Sequence, residues 1–129
     1  MQAKTHLKIN PTWWGTPLKL SPQEAEVKLL LLPEMAADEY GLIHGGTIFG
    51  LADYAAMLAV NEPNVVLAGA KVKFLKPCKV GQEVIAKAKV QEQDGKKIKV
   101  KAEVFLEDNP IFEGEFICVV PAQHVLAEN

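Results

Sequence analysis

The chain has no arginine: all 14 of its basic residues are lysines. Against 16 acidic residues they leave a net charge of −2, so there is no global bias toward nucleic acid. Cysteine is almost missing. Cys78 and Cys118 alone make neither a disulfide framework nor a metal site, and two partly buried free thiols are expected. Cys78 has no histidine near it in sequence to activate it as a nucleophile. His6, His44 and His124 lie far apart and lack metal-ligand spacing, so neither a metal nor a redox cofactor is expected. No basic segment followed by an apolar one stands at the N-terminus, which argues against a secretory signal. The longest apolar run is interrupted by Asp53 and is too short for a comfortable membrane span. Repeats, linkers and low-complexity tracts are absent. A soluble, cytoplasmic protein with one domain over residues 1–129 is expected.

What is present is patterned. Ten lysines fall between Lys71 and Lys101, against Glu83, Glu92 and Asp94. They are either a solvated strand face or a surface that attracts phosphate. Trp13-Trp14 follows Pro11 in an irregular start where a short turn of helix is expected. This apolar pair is either a plug on the core or a lid over a pocket. "AEVKLLLLP" reads as a half-buried strand ending at Pro33. A helix is predicted from about His44 to Asn61, stopped by Pro63. Strands follow over "VVLAGAKVKFLKP", "EVIAKAKVQEQ", "KIKVKAEVFL" and "IFEGEFICVV", with a hairpin at Asp94-Gly95 and a bulge expected at Gly114. The order is β–α–β–β–β–β, an α+β fold whose four last strands suggest an antiparallel meander. Because the helix is apolar nearly all round, the sheet must curl about it or a partner must cover its other side.

The helix "HGGTIFGLADYAAMLAVN" contains two oddities. Two glycines weaken its start, at about 1 kcal/mol each if they lie inside it. A carboxylate, Asp53, sits in its apolar middle on a face with Gly46, Phe49, Gly50, Met57 and Val60. A helix N-terminus carries unpaired N–H groups and about half a positive charge. Glycine lets a ligand approach that backbone closely, which suits an oxygen that turns negative during acyl transfer. Close packing of the helix start against the sheet is the structural alternative. Asp53 either lines a wet cleft, where it can take a proton from water, or edges an exposed stripe made by Thr47, Tyr54 and Asn61.

The element order over residues 20 to 120, and His44-Gly45-Gly46 followed by six residues and Asp53, resemble the hotdog-fold acyl-CoA thioesterases of the phenylacetic-acid-type (PaaI-like) branch. "AKVKFLKPCKVGQEVIAKAKV" is also similar to the hotdog effector domain of a bacterial fatty-acid-synthesis repressor that senses malonyl thioesters. The first resemblance implies hydrolysis of an acyl-CoA or acyl-ACP thioester. The backbone N–H at Gly45 would polarise the carbonyl, Asp53 would serve as general base or nucleophile, and His44 would shape the site. The chain departs from that pattern at two places. Asp38 stands where the family often has an asparagine near the water, and Leu67-Ala68 stand where a serine or threonine often faces the site. Gly46, Thr47, Phe49, Met57, Asp38, Leu67 and Ala68 are candidates for substrate contact, and Lys76 and Lys79 for the phosphates of coenzyme A.

Gly45 and Asp53 are eight residues apart, about 12 Å along one helix at 1.5 Å per residue. One carbonyl cannot touch both. A shared site therefore requires the two residues from different subunits of a homodimer, or of the tetramers common in the resembled family. The other readings are a non-catalytic acyl-thioester sensor and a hotdog hydratase or dehydratase. Only about 17 residues precede the first expected strand, too few for a helix-turn-helix domain, which weighs against the sensor. The hydratase would need its histidine and acid placed differently.

Overall fold

The computed structural model describes residues 1–127. Asn10 caps a single helical turn, α1 (Pro11–Trp14), with its side chain accepting the Thr12 N–H at 3.0 Å. Strands β1 (Thr16–Ser21) and β2 (Glu24–Leu30) form a hairpin, and a 3₁₀ turn (Pro33–Met35) follows. The long helix α2 (Gly45–Val60) precedes β3 (Val66–Phe74), β4 (Glu83–Asp94), β5 (Lys97–Leu106) and β6 (Asn109–Val119). The six strands make one sheet in the order β1-β2-β4-β5-β6-β3, antiparallel at every pairing. This is the hotdog fold, an antiparallel sheet around one long helix.

The alternation of the strands decides which face meets the helix. Ala25, Val27 and Leu29 of β2, Val84, Ala86 and Ala88 of β4, and Ile98, Val100, Ala102 and Val104 of β5 are buried. Their neighbours in sequence are mostly lysine and glutamate and are wholly or partly exposed. Ala25, Ala88, Ala102 and Gly114 stand in one cross-strand row. With the alanines of α2, that row of small side chains lets helix and sheet approach closely.

Three expectations need correction. The first hairpin strand, β1, was not expected, and the order is β–β–α–β–β–β–β. An edge strand exposed over most of its length, as β1 is, needs little of the apolar alternation that betrays a buried one. The last four strands are not a simple meander, because β3 lies beside β6. The chain leaving β3 returns across the sheet end, held by Leu75 and Lys76 N–H groups on the Ile111 carbonyl and by Gly81 N–H on the Leu31 carbonyl. Gly114 is no bulge: it stays in register with Val72 and Ala102, and the Cγ1 of Val72 lies 2.6 Å from where its Cβ would be. The register shifts elsewhere: between Leu67 and Gly69 on β3, at Ile111 on β6, and also between Pro17 and Lys19 and between Val90 and Glu92.

Helix α2 is covered within its own chain. Ile48, Leu51, Ala52 and every residue from Tyr54 to Ala59 are buried. The sheet covers one side and the N-terminal segment the other. Asn61 ends the helix in the left-handed region (φ 51°) and donates its backbone N–H to the Met57 carbonyl at 2.8 Å. Its side chain accepts the Lys4 N–H at 2.7 Å and donates to the Gln2 carbonyl at 3.0 Å. The His6 ring lies beside Tyr54, centroids 6.3 Å apart, and Trp14 packs on Gly50. Tyr54 and Asn61 are therefore buried, and the exposed stripe expected through Thr47, Tyr54 and Asn61 does not exist. An apolar helix on its own gives no reason to invoke a partner here.

Candidate active site

Each glycine in α2 leaves room for a ring. A Cβ on Gly45 would stand 3.2 Å from Cε1 of Phe74, and one on Gly46 would stand 2.8 Å from Nδ1 of His44. Gly50 faces the Trp14 indole, so Trp14 is a plug against the helix, while Trp13 remains exposed. His44 is the N-cap: its Nδ1 accepts the Gly46 N–H at 2.8 Å, and its carbonyl accepts the Thr47 N–H at 3.0 Å. That satisfies two of the free donors at the helix start. The Gly45 N–H finds no acceptor among the described residues. Gly46, expected to contact substrate, has thus committed its N–H to His44, and the free donor is the one at Gly45.

Gly45 opens on a cavity of about 280 Å³. Ile43, Ile48, Cys78 and Ile111 form its floor, and Phe74, Lys76 and Pro77 stand at its rim. The structure thus joins two expected residues, Gly45 and Lys76, with several that sequence reasoning missed. Phe74, Cys78 and Ile111 carry no motif. Only the return of the chain after β3 brings them to the helix start.

Asp53 is elsewhere on the helix. It is half-buried, and its Oδ1 is enclosed with no hydrogen-bond partner among the described residues. Burial raises its pKa from the ordinary 3.8 to about 6. The fully buried Cys118 thiol is close enough to feel that carboxylate: burial first, then the Asp53 charge, pushes it up to about 12. At that value it stays a thiol. Cys118 pairs with Leu67 of β3, so Asp53 lies toward the Leu67 end of the edge strand and Gly45 against Phe74 at the other.

The remaining candidates are scattered. Phe49 packs its ring against Phe116 and Phe112, at centroid distances of 5.5 and 6.5 Å. Met57 is 1% exposed and belongs to the core, so it offers no surface to a substrate in this chain. Asp38 is occupied in its own loop, accepting the N–H groups of Tyr40 at 2.9 Å and Leu42 at 3.1 Å. Lys79 is exposed in a bridge with Leu42, Thr47 is half-buried, and Ala68 is exposed at the β3 bulge next to half-buried Leu67.

A family model described as the thioesterase superfamily matches residues 40–112. A methylthioribose-1-phosphate isomerase from Aquifex aeolicus is 57% identical over 119 residues, 92% of this chain. The transcription factor FapR from Caldanaerobacter subterraneus is 31% identical over 78 residues, 60% of this chain. The chain spans only 26% of the length of the first and 39% of the second. Among solved structures, an uncharacterized protein from Pyrococcus horikoshii is 49% identical with a TM-score of 0.97, covering 98% of both chains. A mutant of the phenylacetic acid degradation protein PaaI from Thermus thermophilus is 24% identical with a TM-score of 0.79, over 84% of this chain and 95% of that one, and shares the fold.

Proposed function

Because the chain belongs to the thioesterase superfamily, we propose that it hydrolyses an acyl-CoA or acyl-ACP thioester to the free acid and the thiol. The observation that carries this reading is the pair of groups on α2 without partners among the described residues: the N–H of Gly45, a residue that lines a cavity, and a carboxylate oxygen of Asp53. Asp53 takes a proton from water as the water oxygen attacks the carbonyl carbon, or attacks that carbon itself. The oxyanion forms against the Gly45 N–H. The carbon–sulfur bond then breaks, and the thiolate leaves and is protonated; on the direct route the acyl group is left on Asp53 as a mixed anhydride, which water hydrolyses to free the acid and restore the carboxylate. Lys76, and Lys79 beyond it, offer positive charge to the phosphates of coenzyme A. No metal or redox cofactor takes part.

Two copies are needed for one site, and the sheet suggests how they meet. Among the described residues the outer edge of β3 has no strand beside it, and an open edge is a template for another strand. Antiparallel pairing of two β3 edges about a two-fold axis sets Phe74 of one copy opposite the Leu67 end of the other. Gly45 of one copy then approaches Asp53 of its mate, twice per dimer.

Asp53→Ala and Asp53→Asn are expected to fold and to lose at least about 100-fold in kcat/KM, the scale of a missing general base. The check is thiol release from a panel of acyl-CoA substrates. Undiminished turnover in both variants removes Asp53 from the mechanism. The FapR relatives favour a second reading, an acyl-thioester-binding domain without turnover. Tight acyl-CoA binding by the wild-type chain with no thiol released would select it.

A further inference from the structure

We infer that the end of the molecule at the C-terminus of α2 is a protein-docking face. Its occupant is a domain of the kind that makes up the rest of the longer Aquifex aeolicus relative, carried on the same chain or on a separate one. This goes beyond the thioesterase reading and does not depend on it.

The segment shared with that relative is 119 residues at 57% identity, 92% of this chain but 26% of the other. About three quarters of the relative therefore flanks the shared segment. The join falls at one end of that segment or at both, and the fold makes the choice immaterial, because the two ends run out at one place. The Asn61 side chain accepts the Lys4 N–H at 2.7 Å and donates to the Gln2 carbonyl at 3.0 Å. One helical turn further along the chain, the Asn64 amide donates to the Pro121 and Ala122 carbonyls, both at 3.4 Å. Whichever end carries the join, the added domain starts beside the C-terminus of α2. Gly45 lies at the opposite end of this helix of 16 residues, about 24 Å away at 1.5 Å per residue, so a domain seated here leaves the helix start open.

The surface at this end has the make-up of a protein contact. A cleft opens between the N-terminal segment, the β1–β2 turn and the β4–β5 hairpin, with Met1, Lys4, Gln23, Glu62 and Gln93 in its lining. The chain after Ala122 forms a turn about His124, whose Nδ1 accepts the Leu126 N–H at 3.0 Å and whose carbonyl accepts the Ala127 N–H at 2.8 Å. The turn is hydrogen-bonded, yet it holds Val125 61% and Leu126 81% exposed. Two adjacent large apolar side chains held out in this way lose no water in the free chain, and they gain when another protein covers them. An apolar knob with glutamine and glutamate at the same end matches the apolar core and polar rim of protein contacts. The partner's complementary surface is an apolar recess that takes Val125 and Leu126.

The test has two arms. In the first, the tagged full-length chain is captured from its own cells, treated with an amine-reactive cross-linker and analysed by mass spectrometry. The expected result is a protein, or a further part of the same chain, similar to the remaining three quarters of the Aquifex aeolicus relative. It should be joined through Lys4, Lys96 or Lys97, the lysines at this end. Absence of such a protein, joining through Lys76 or Lys79 instead, or copies of this chain joined only to one another, overturns the proposal.

The second arm compares cross-link yield through those three lysines in variants. Val125→Asp combined with Leu126→Asp should lower it at least about tenfold, the scale of lost apolar anchors at a contact. Leu30→Asp, 51% exposed at the other end of β2 from the Gln23 turn, should leave it unchanged. Urea unfolding confirms that each variant is folded. Equal loss in both variants, or loss in neither, overturns the docking face. Thiol release is no readout here, so the outcome stands whether or not the chain hydrolyses thioesters.

Discussion

Burial of Asp53 makes the folded chain less stable once its carboxyl is ionised. Its folded pKa of about 6 lies above the ordinary 3.8, so between those values the folded state holds a proton that the unfolded state releases. Stability therefore falls as pH rises through that window and stays lower above it. Asp53→Asn removes the loss. The variant is expected to be more stable than wild type at pH 7 by about 1–2 kcal/mol, the shift being discounted for partial exposure. Near pH 3.5 the two should be equal. Urea unfolding across pH 3.5 to 7.5 measures this, and parallel curves for the two proteins would contradict the burial account. The proposed base must be ionised to act, so under that mechanism kcat/KM should have the opposite slope and fall as pH drops through about 6. At the same scale, the cost of the helix glycines has a packing reason in Phe74, His44 and Trp14. That answer does not compete with function, since the Gly46–His44 cap leaves the Gly45 N–H as the free donor.

At the scale of elements, α2 is closed by contacts far from it in sequence. Its C-cap, Asn61, adopts a left-handed conformation that asparagine tolerates better than most residues, and its amide ties down residues 2 to 4. Asn61→Ala is expected to destabilise the chain by about 2–3 kcal/mol, from two lost hydrogen bonds and the strained backbone. Asn61→Gly, which keeps the conformation but not the bonds, should lose less. Thermal and urea unfolding of the pair would decide, and an alanine variant as stable as wild type would show the strap to be dispensable. The boundaries of α2 were legible because Gly-Gly, the apolar run and Pro63 mark them in sequence. The cover over it was not, because the start of the chain has no period and its contacts depend on Asn61 and Tyr54 meeting it in space.

At the scale of the whole molecule, the proposed site depends on two copies exchanging halves. Gly45→Pro removes the N–H at the first helical position, where proline is tolerated, and Asp53→Ala removes the carboxylate from the other half-site. Each variant alone should be nearly inactive. Mixed after co-refolding they should recover about a quarter of wild-type activity, because half of the dimers are mixed and each carries one intact site of two. No recovery, with mixed dimers present by mass, would place both groups in one subunit's site and defeat the two-copy arrangement.

An α+β sheet about one long helix was readable from alternation, since burial of one strand face imposes a period of two on any sequence, and the hotdog fold was readable through the family resemblance. The motif from His44 to Asp53 was readable through its resemblance to that family, and helix geometry then set the separation of its ends. The strand order, the cover over α2 and the cavity lined by Gly45 and Phe74 were decided only in three dimensions. They join Gly45 to Phe74, Cys78 and Ile111, and Asn61 to Gln2 and Lys4. Such contacts arise from where the chain crosses the sheet and turns back, and no local pattern of residues encodes them.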